Sequence, residues 1–363
     1  SRYKRGWARF KQNYYHEAID DFIEVINMND FDDLAKSSDT VKSNFEEYFR
    51  ALGLSFTYMG GHQSLTQYFR ENQKFKYIHQ VYFRVSDAYL EQQRYADAAK
   101  TLEQFNKDYP QSGRLPESDL KIIDIWVASG FSANFIRSLD DFYEAYHPQS
   151  KYWSNREANQ AVRAQVTASL KNFIVLASAQ YHREYRSSKK ETDFSRAKLW
   201  YERYLKDFQP YSRKDNIHFL YAELLSQHNN YAEALTHYET AAYDGAIIVN
   251  KDAAYATILM TAKLHQKPGD GKQQQEYLKK LVNYSHLYVQ LYPGDARSMA
   301  AMTRAAEEAY REGMFKQSVD LAELYSDIPY TEATYSIHSI KAHSYFKLER
   351  YQDAETAYQA LLQ

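Results

Sequence analysis

Residues Tyr82 to Ser112, YFRVSDAYLEQQRYADAAKTLEQFNKDYPQS, read as two short helices folded into a hairpin. Ser86, Ala88 and Tyr89 lie on the first helix, and Tyr95 and Ala98 open the second. Leu102 and Phe105 continue the second face at +4 and +3, and Pro110 stops it. Two helices that cross closely need small residues at the crossing, aromatic rings to fill the wedge and a proline beyond the last turn. The pattern recurs along the chain, and that recurrence marks a repeat architecture.

The spacing resembles the tetratricopeptide repeat (TPR) family. That family's helix–turn–helix repeat carries a small residue at position 8, aromatics at 11 and 17, Ala at 20, a large apolar residue at 24 and Pro near 32. With Ala98 at position 20, Ser86 takes 8, Tyr89 takes 11, Tyr95 takes 17, Leu102 takes 24 and Pro110 takes 32. Ser86 stands where the family usually has Gly, and it is small enough for the crossing.

Other units follow the same register. Gly6, Tyr15, Ala18 and Phe22 make the first, in the stretch from Tyr3 to Ile26. A helix from about Lys42 to Met59 ends at Gly60-Gly61, and His62 to Glu71 supplies a weaker partner with Leu65 at position 20. Pro116 to Gly130 and Ser132 to Tyr146 form the next pair. Lys151 to Tyr185 is the longest helical pattern, followed by a basic turn, RSSKK, at 186–190. Asp193 to Phe208 reads as a helix closed by Pro210, and Asp215 to Tyr243 as a clean repeat with Ala222 at 8 and Ala234 at 20. A helix from Asp252 is interrupted at 267–272, and its partner from Gln273 to Leu291 is closed by Pro293-Gly294. Ala306, Phe315, Ser318, Ala322 and Tyr325 make the next unit, and Ala342, Tyr345, Tyr351, Ala354, Tyr358 and Leu361 the last. The position-20 sites are Ala18, Leu65, Ala98, Ser138, Ala197, Ala234, about Leu278, Ser318 and Ala354, spanning 336 residues in eight steps with a mean of 42. The excess over the family's repeat length implies longer helices or loops in several units.

The resemblance implies an all-α, right-handed superhelical solenoid of about nine such units. Three regions are expected: N-terminal repeats over 1–110, irregular longer-helix units over 111–190 and C-terminal repeats over 191–363. The chain starts at Ser1 without Met, signal sequence or lipidation motif and stops at the end of a helix, so a processed or truncated array is expected.

Composition excludes several functions. The 45 basic and 47 acidic side chains leave a formal charge of −2, which gives no footprint for nucleic acid. No apolar run approaches the ~18 residues of a membrane span. Without cysteine there is no disulfide, thiolate metal site or cysteine nucleophile, a composition compatible with an oxidising compartment and with the cytosol. His16-Glu17 with Asp20 imitates part of HExxH, but the second His is missing. The acidic loop Asn29 to Asp39 lacks the Gly and Glu of an EF-hand. The stretch 267–272 lacks phosphate-loop spacing. No catalytic motif, cofactor site or metal site is read, and the chain is expected not to be an enzyme.

Binding is the remaining function. In the TPR family, positions 2, 5, 9, 12 and 13 of the first helix face a concave groove. The resemblance assigns to it Phe83, Asp87, Leu90 and Glu91; Phe219, Glu223, Ser226 and Gln227; Glu307, Tyr310 and Arg311; and His343, Phe346 and Lys347. The groove lacks the basic clamp with which chaperone-type TPRs hold acidic C-terminal peptides. A protein or peptide partner is expected there, with self-association possible at the C-terminal end. The Tyr-Pro-Gln-Ser ending at 109–112 and His-Pro-Gln-Ser at 147–150 look like the TPR lipoproteins of Gram-negative envelopes. The reading is a scaffold of a bacterial envelope complex, periplasmic or outer-membrane-associated. The alternative, motivated by 35 tyrosines, is a carbohydrate-handling module similar to TPR scaffolds of exopolysaccharide export.

Overall fold

The computed structural model describes residues 1–28, 38–71, 75–130, 132–154, 160–209, 216–245, 247–324 and 334–362. Most of the expected acidic loop, Pro210, Asp215 and Tyr325 lie outside them. The protein is an all-α helical repeat, and the only strands among the described residues are the two-residue pair Tyr243–Asp244 and Ile247–Ile248. It divides into two compact units, Ser1–Ile174 and Val175–Gln363.

The first unit holds α1 (Arg2–Lys11), α2 (Tyr15–Asn27), α3 (Asp39–Tyr58), α4 (His62–Glu71), α5 (Ile78–Glu91), α6 (Tyr95–Asp108), α7 (Leu115–Ser129), α8 (Ser132–Tyr146), the short α9 (Lys151–Ser154) and the start of α10 (Gln160–Ser188). The second takes the rest of α10, then α11 (Glu191–Asp207), α12 (Ile217–Gln227), α13 (Tyr231–Ala242), α14 (Lys251–His265), α15 (Gly271–Leu291), α16 (Ala296–Arg311), α17 (Phe315–Glu323), α18 (Tyr335–Lys347) and α19 (Tyr351–Leu361). Within each unit, helices adjacent in sequence pack on one another.

Among the described residues one turn is repeated six times. Asn13, Gly60, Gln93, Asn229, Gly313 and Glu349 all take the left-handed conformation two residues before a second helix begins. The next amide donates back to the carbonyl five residues earlier in every case. The pairs are Tyr14 to Arg9 at 2.9 Å, Gly61 to Phe56 at 2.7 Å, Arg94 to Tyr89 at 2.9 Å, Asn230 to Leu225 at 2.9 Å, Met314 to Ala309 at 2.8 Å and Arg350 to Tyr345 at 3.0 Å. This is the Schellman closure, which satisfies a helix-end carbonyl while reversing the chain.

Small residues sit where the hairpin helices cross. Position-8 residues Gly6, Ser86, Ala222, Ala306 and Ala342 are buried, as are Ala18, Leu65, Ala98, Ala234, Ser318 and Ala354 at position 20. The contact is close enough for Ser86 Oγ to donate to the Ala98 carbonyl at 3.1 Å and for Ser318 Oγ to reach the Ala306 carbonyl at 2.9 Å. A Cβ at Gly6 would lie 2.6 Å from the Phe22 ring, and one at Gly53 would lie 2.9 Å from the Arg84 backbone. Ser138 fits this register less well: it is half-buried, whereas Leu139 beside it is fully buried.

Tyrosine hydroxyls tie neighbouring helices to carboxylates. Tyr3 donates to Glu47 at 3.0 Å, Tyr68 to Asp20 at 2.7 Å, Tyr82 to Asp108 at 2.9 Å and Tyr146 to Asp119 at 2.8 Å. In the second unit Tyr221 donates to Glu233 at 3.1 Å, Tyr284 to Glu239 at 2.6 Å, Tyr238 to Glu223 and Tyr345 to Glu323. In these eight cases a tyrosine packs its ring between helices and satisfies its polar tip on an acid.

Candidate binding surface

Each candidate groove residue lies on the first helix of a hairpin. On α5, Phe83 is half-buried, edge-on to Phe105 with centroids 6.1 Å apart, and Lys121 Nζ stands 5.5 Å from its ring. Asp87 pairs with the same Lys121 and with Arg84 at 3.6 Å. Leu90 is half-buried and Glu91 exposed. On α12, Phe219 and Glu223 both meet Tyr238, the ring at 5.8 Å and the carboxylate through the hydroxyl, so Glu223 is already engaged within the hairpin. Ser226 donates to Met260 Sδ at 3.4 Å, and Gln227 lies beside His182.

On α16, Glu307 is half-buried, Tyr310 packs on Phe315 at 5.4 Å, and the exposed Arg311 pairs with Glu308 at 2.9 Å. The fold brings Tyr310 against His343 of α18, ring centroids 6.3 Å apart. His343 also meets Tyr358 at 5.4 Å. Phe346 is 53% exposed and edge-on to Tyr351 at 5.7 Å, and Lys347 is exposed.

The six turns give these residues a common register. Three residues before each left-handed position stand Phe10, Thr57, Leu90, Ser226, Tyr310 and Phe346, and all six are half-buried or exposed. The preceding residues Phe56, Tyr89, Leu225, Ala309 and Tyr345 are buried; in the first hairpin Arg9 is half-buried. The register thus offers one partly exposed site in each of these six hairpins.

The sequence reading missed the α1 members of this series. The same positional carry-over applied to Gly6 gives Trp7 and Phe10, and Tyr58 on α3 reaches Phe10 at 5.5 Å. Buried polar groups were also missed. Asp21 is desolvated, which raises its pKa, but Arg5 and Arg9 outweigh this and hold it below the usual carboxylate range. His218 Nδ1 lies 2.8 Å from His237 Nδ1, and burial lowers both rings, His218 to about 4. Asp119 is pushed up to about 6 by burial, although Tyr146 and Asn106 donate to it. Their partners stand 12 to 27 residues away in sequence, beyond any local pattern.

Among the described residues no group of three His, Asp or Glu side chains is placed to hold a metal ion, and no helix is long and apolar enough to cross a membrane. The fragment His16-Glu17-Asp20 is exposed, with His16 Nδ1 3.4 Å from Asp20.

The crystal structure titled P58(IPK) TPR Domain is similar over 97% of this chain and 98% of its own, at 12% identity and a TM-score of 0.25. No curated protein matches the chain. Residues 80–112, the α5–α6 hairpin with which the sequence reading began, match the Tetratricopeptide repeat family.

Proposed function

We propose that the chain is a non-enzymatic protein-interaction scaffold, and that within each unit the first-helix residues form a pre-shaped surface for a peptide or partner helix. The partly exposed site, repeated in six hairpins, is the observation that carries this reading. The side chains there differ in chemistry, from Leu90 and Ser226 to Tyr310 and Phe346, while the backbone frame beneath them is constant. A rigid frame lowers the ordering cost of binding on the scaffold's side, and side-chain variation along it selects the partner.

The match at 80–112 supports the reading, because repeats of this family serve as interaction modules. We place the scaffold in a bacterial envelope complex; the absence of cysteine and the two proline-containing repeat endings support that placement. Cell fractionation tests it, and recovery of the protein solely in the cytosolic fraction would remove the envelope from the proposal.

Site-specific photocrosslinking tests the groove. A photoreactive phenylalanine replaces Leu90 or Phe346 on the first helices, or Lys100 on a second helix. Adducts from each of the first two positions and none from Lys100 are expected. Equal labelling at all three positions, or none, would overturn the groove.

A further inference from the structure

The helix α1 is basic throughout, with five cations and no acid between Arg2 and Lys11. The helix α2 neutralises three of them. Glu24 takes Arg2 at 2.8 Å, and buried Asp21 takes Arg5 and Arg9 at 2.5 and 2.8 Å. Lys4 and Lys11 are exposed and stand in no ion pair among the described residues. Lys4, Trp7, Ala8 and Lys11 fall at i, i+3, i+4 and i+7, which is one helical stripe. Seven residues at the helical rise set the two lysines about 10 Å apart along the axis.

Aromatic rings run beside this stripe. Tyr3 meets Trp7 at 6.4 Å, Trp7 meets Phe10 at 5.3 Å and Phe10 meets Tyr58 at 5.5 Å, with interplanar angles of 86°, 79° and 84°. The Arg50 guanidinium lies 5.8 Å from the Trp7 ring. Trp7 and Phe10 are half-buried, and Tyr58 is 61% exposed. Rings packed edge to face share no flat platform of the kind on which a sugar stacks, and the near-parallel pair beside them, Tyr15 and Tyr58 at 5.4 Å and 19°, turns two ring faces toward each other. Tyr3 and Trp7 are held against Phe22 and Tyr48, and Phe10 and Tyr58 against Tyr15, so the rings are not free to insert into a bilayer. Their partly open edges suit one apolar side chain.

We propose that the α1 stripe and Tyr58 dock a peptide segment of a partner protein in which carboxylates flank an apolar anchor. The anchor covers Trp7, Phe10 and Tyr58, and the carboxylates meet Lys4 and Lys11. Charge complementarity selects this occupant, since the two unpaired cations bracket the apolar centre. The inference rests on the scaffold reading for the existence of a protein partner, and adds a site on α1 and the partner's chemistry.

Panning a phage-displayed library of random peptides of about twelve residues against the whole chain tests it. Selected peptides should carry Asp or Glu on both sides of a Leu, Phe or Trp. Synthetic copies should shift the emission of Trp7, which is more exposed than the buried Trp126, Trp153 and Trp200. The variant Lys4→Glu/Lys11→Glu should melt with the parent yet bind about tenfold or more weakly, while Lys4→Arg/Lys11→Arg retains binding. Peptides that bind the charge-reversed variant unchanged overturn the inference. If those peptides are instead lost with Tyr310→Ala/Phe346→Ala, the scaffold reading stands without it. Recovery of no peptide counts against both. Sedimentation with phosphatidylserine vesicles, abolished by charge reversal, would give the stripe to a membrane and also overturn the inference.

Discussion

The hairpins of α1–α6 and the hairpin α12–α13 share one backbone plan and fill it differently. Both have the left-handed turn and the five-residue back-bond. In the first region the crossing residues include Gly6 and Gly53, and rings such as Phe22, Phe49 and Phe56 close the wedge. In the second the crossing residue is Ala222, and the wedge holds His218, His237 and the bond from Tyr238 to Glu223. The repeat therefore fixes where helices cross and leaves the chemistry between them free. The first region buries an Asp21 carboxylate between two arginines, and the second pairs two imidazoles.

The largest expected effect tests the crossing itself. In Gly53→Ala the added methyl meets the Arg84 carbonyl carbon and oxygen at 2.9 Å, so α3 and α5 must separate. A loss of about 2–3 kcal/mol is expected in urea unfolding. The converse change, Ala222→Gly, should cost only about 1 kcal/mol through backbone entropy. Equal costs would mean that the two crossings are equally tight.

Acid should separate the regions next. Burial lowers His182 and His218 to about 4 and lowers His237 as well. These rings bind fewer protons folded than unfolded, so their contribution is full above pH 6.5 and falls as the pH drops from 6.5 toward 4. Asp119 in the first unit has the opposite sign, because burial raises it to about 6. Its folded state gains protons first, and stability from this group rises as the pH falls from 6 toward 3.8. His79 of the first unit, lowered to about 4 by burial, and His62, which burial also lowers, side with the other histidines. Hydrogen exchange at pH 7 and pH 5 should therefore show protection lost more in 175–363 than in 1–174. His218→Gln should reduce that difference, and a uniform response would break the contrast.

Smaller effects follow from single bonds and turns. Tyr238→Phe strands the Glu223 carboxylate beside a ring and should cost about 1 kcal/mol. Tyr3→Phe should cost less, because Glu47 keeps its two bonds from Arg50. Gln93→Gly and Glu349→Gly should each add up to about 1 kcal/mol by relieving a left-handed side chain, whereas Asn13→Gly should be nearly neutral. A thermal melt of each variant checks the order.

Much of the fold was legible because its signals are local. Ala98, Ala234 and Ala354 marked crossings from spacing alone, and the bounds Ser132–Tyr146 and His62–Glu71 were read directly from the sequence. The shared turn was not legible, since Gly, Asn, Gln and Glu all occupy its left-handed position and the last two rarely do so. The candidate surface was legible as a register and not as a set of contacts. Nothing near Glu223 in sequence announces that Tyr238 holds its carboxylate, and nothing near Trp7 and Phe10 announces Arg50 and Tyr58.

The six turns also bear on how the chain acquires its structure. Each is closed by groups five residues apart, so its formation requires no distant part of the chain and little loop entropy. Such local closures lower contact order and favour fast folding from several starting points. A nascent chain could complete α1–α2 while later residues were still being synthesised. The left-handed Gln93 and Glu349 would then act as slower starting points, placing early order at the asparagine and glycine turns.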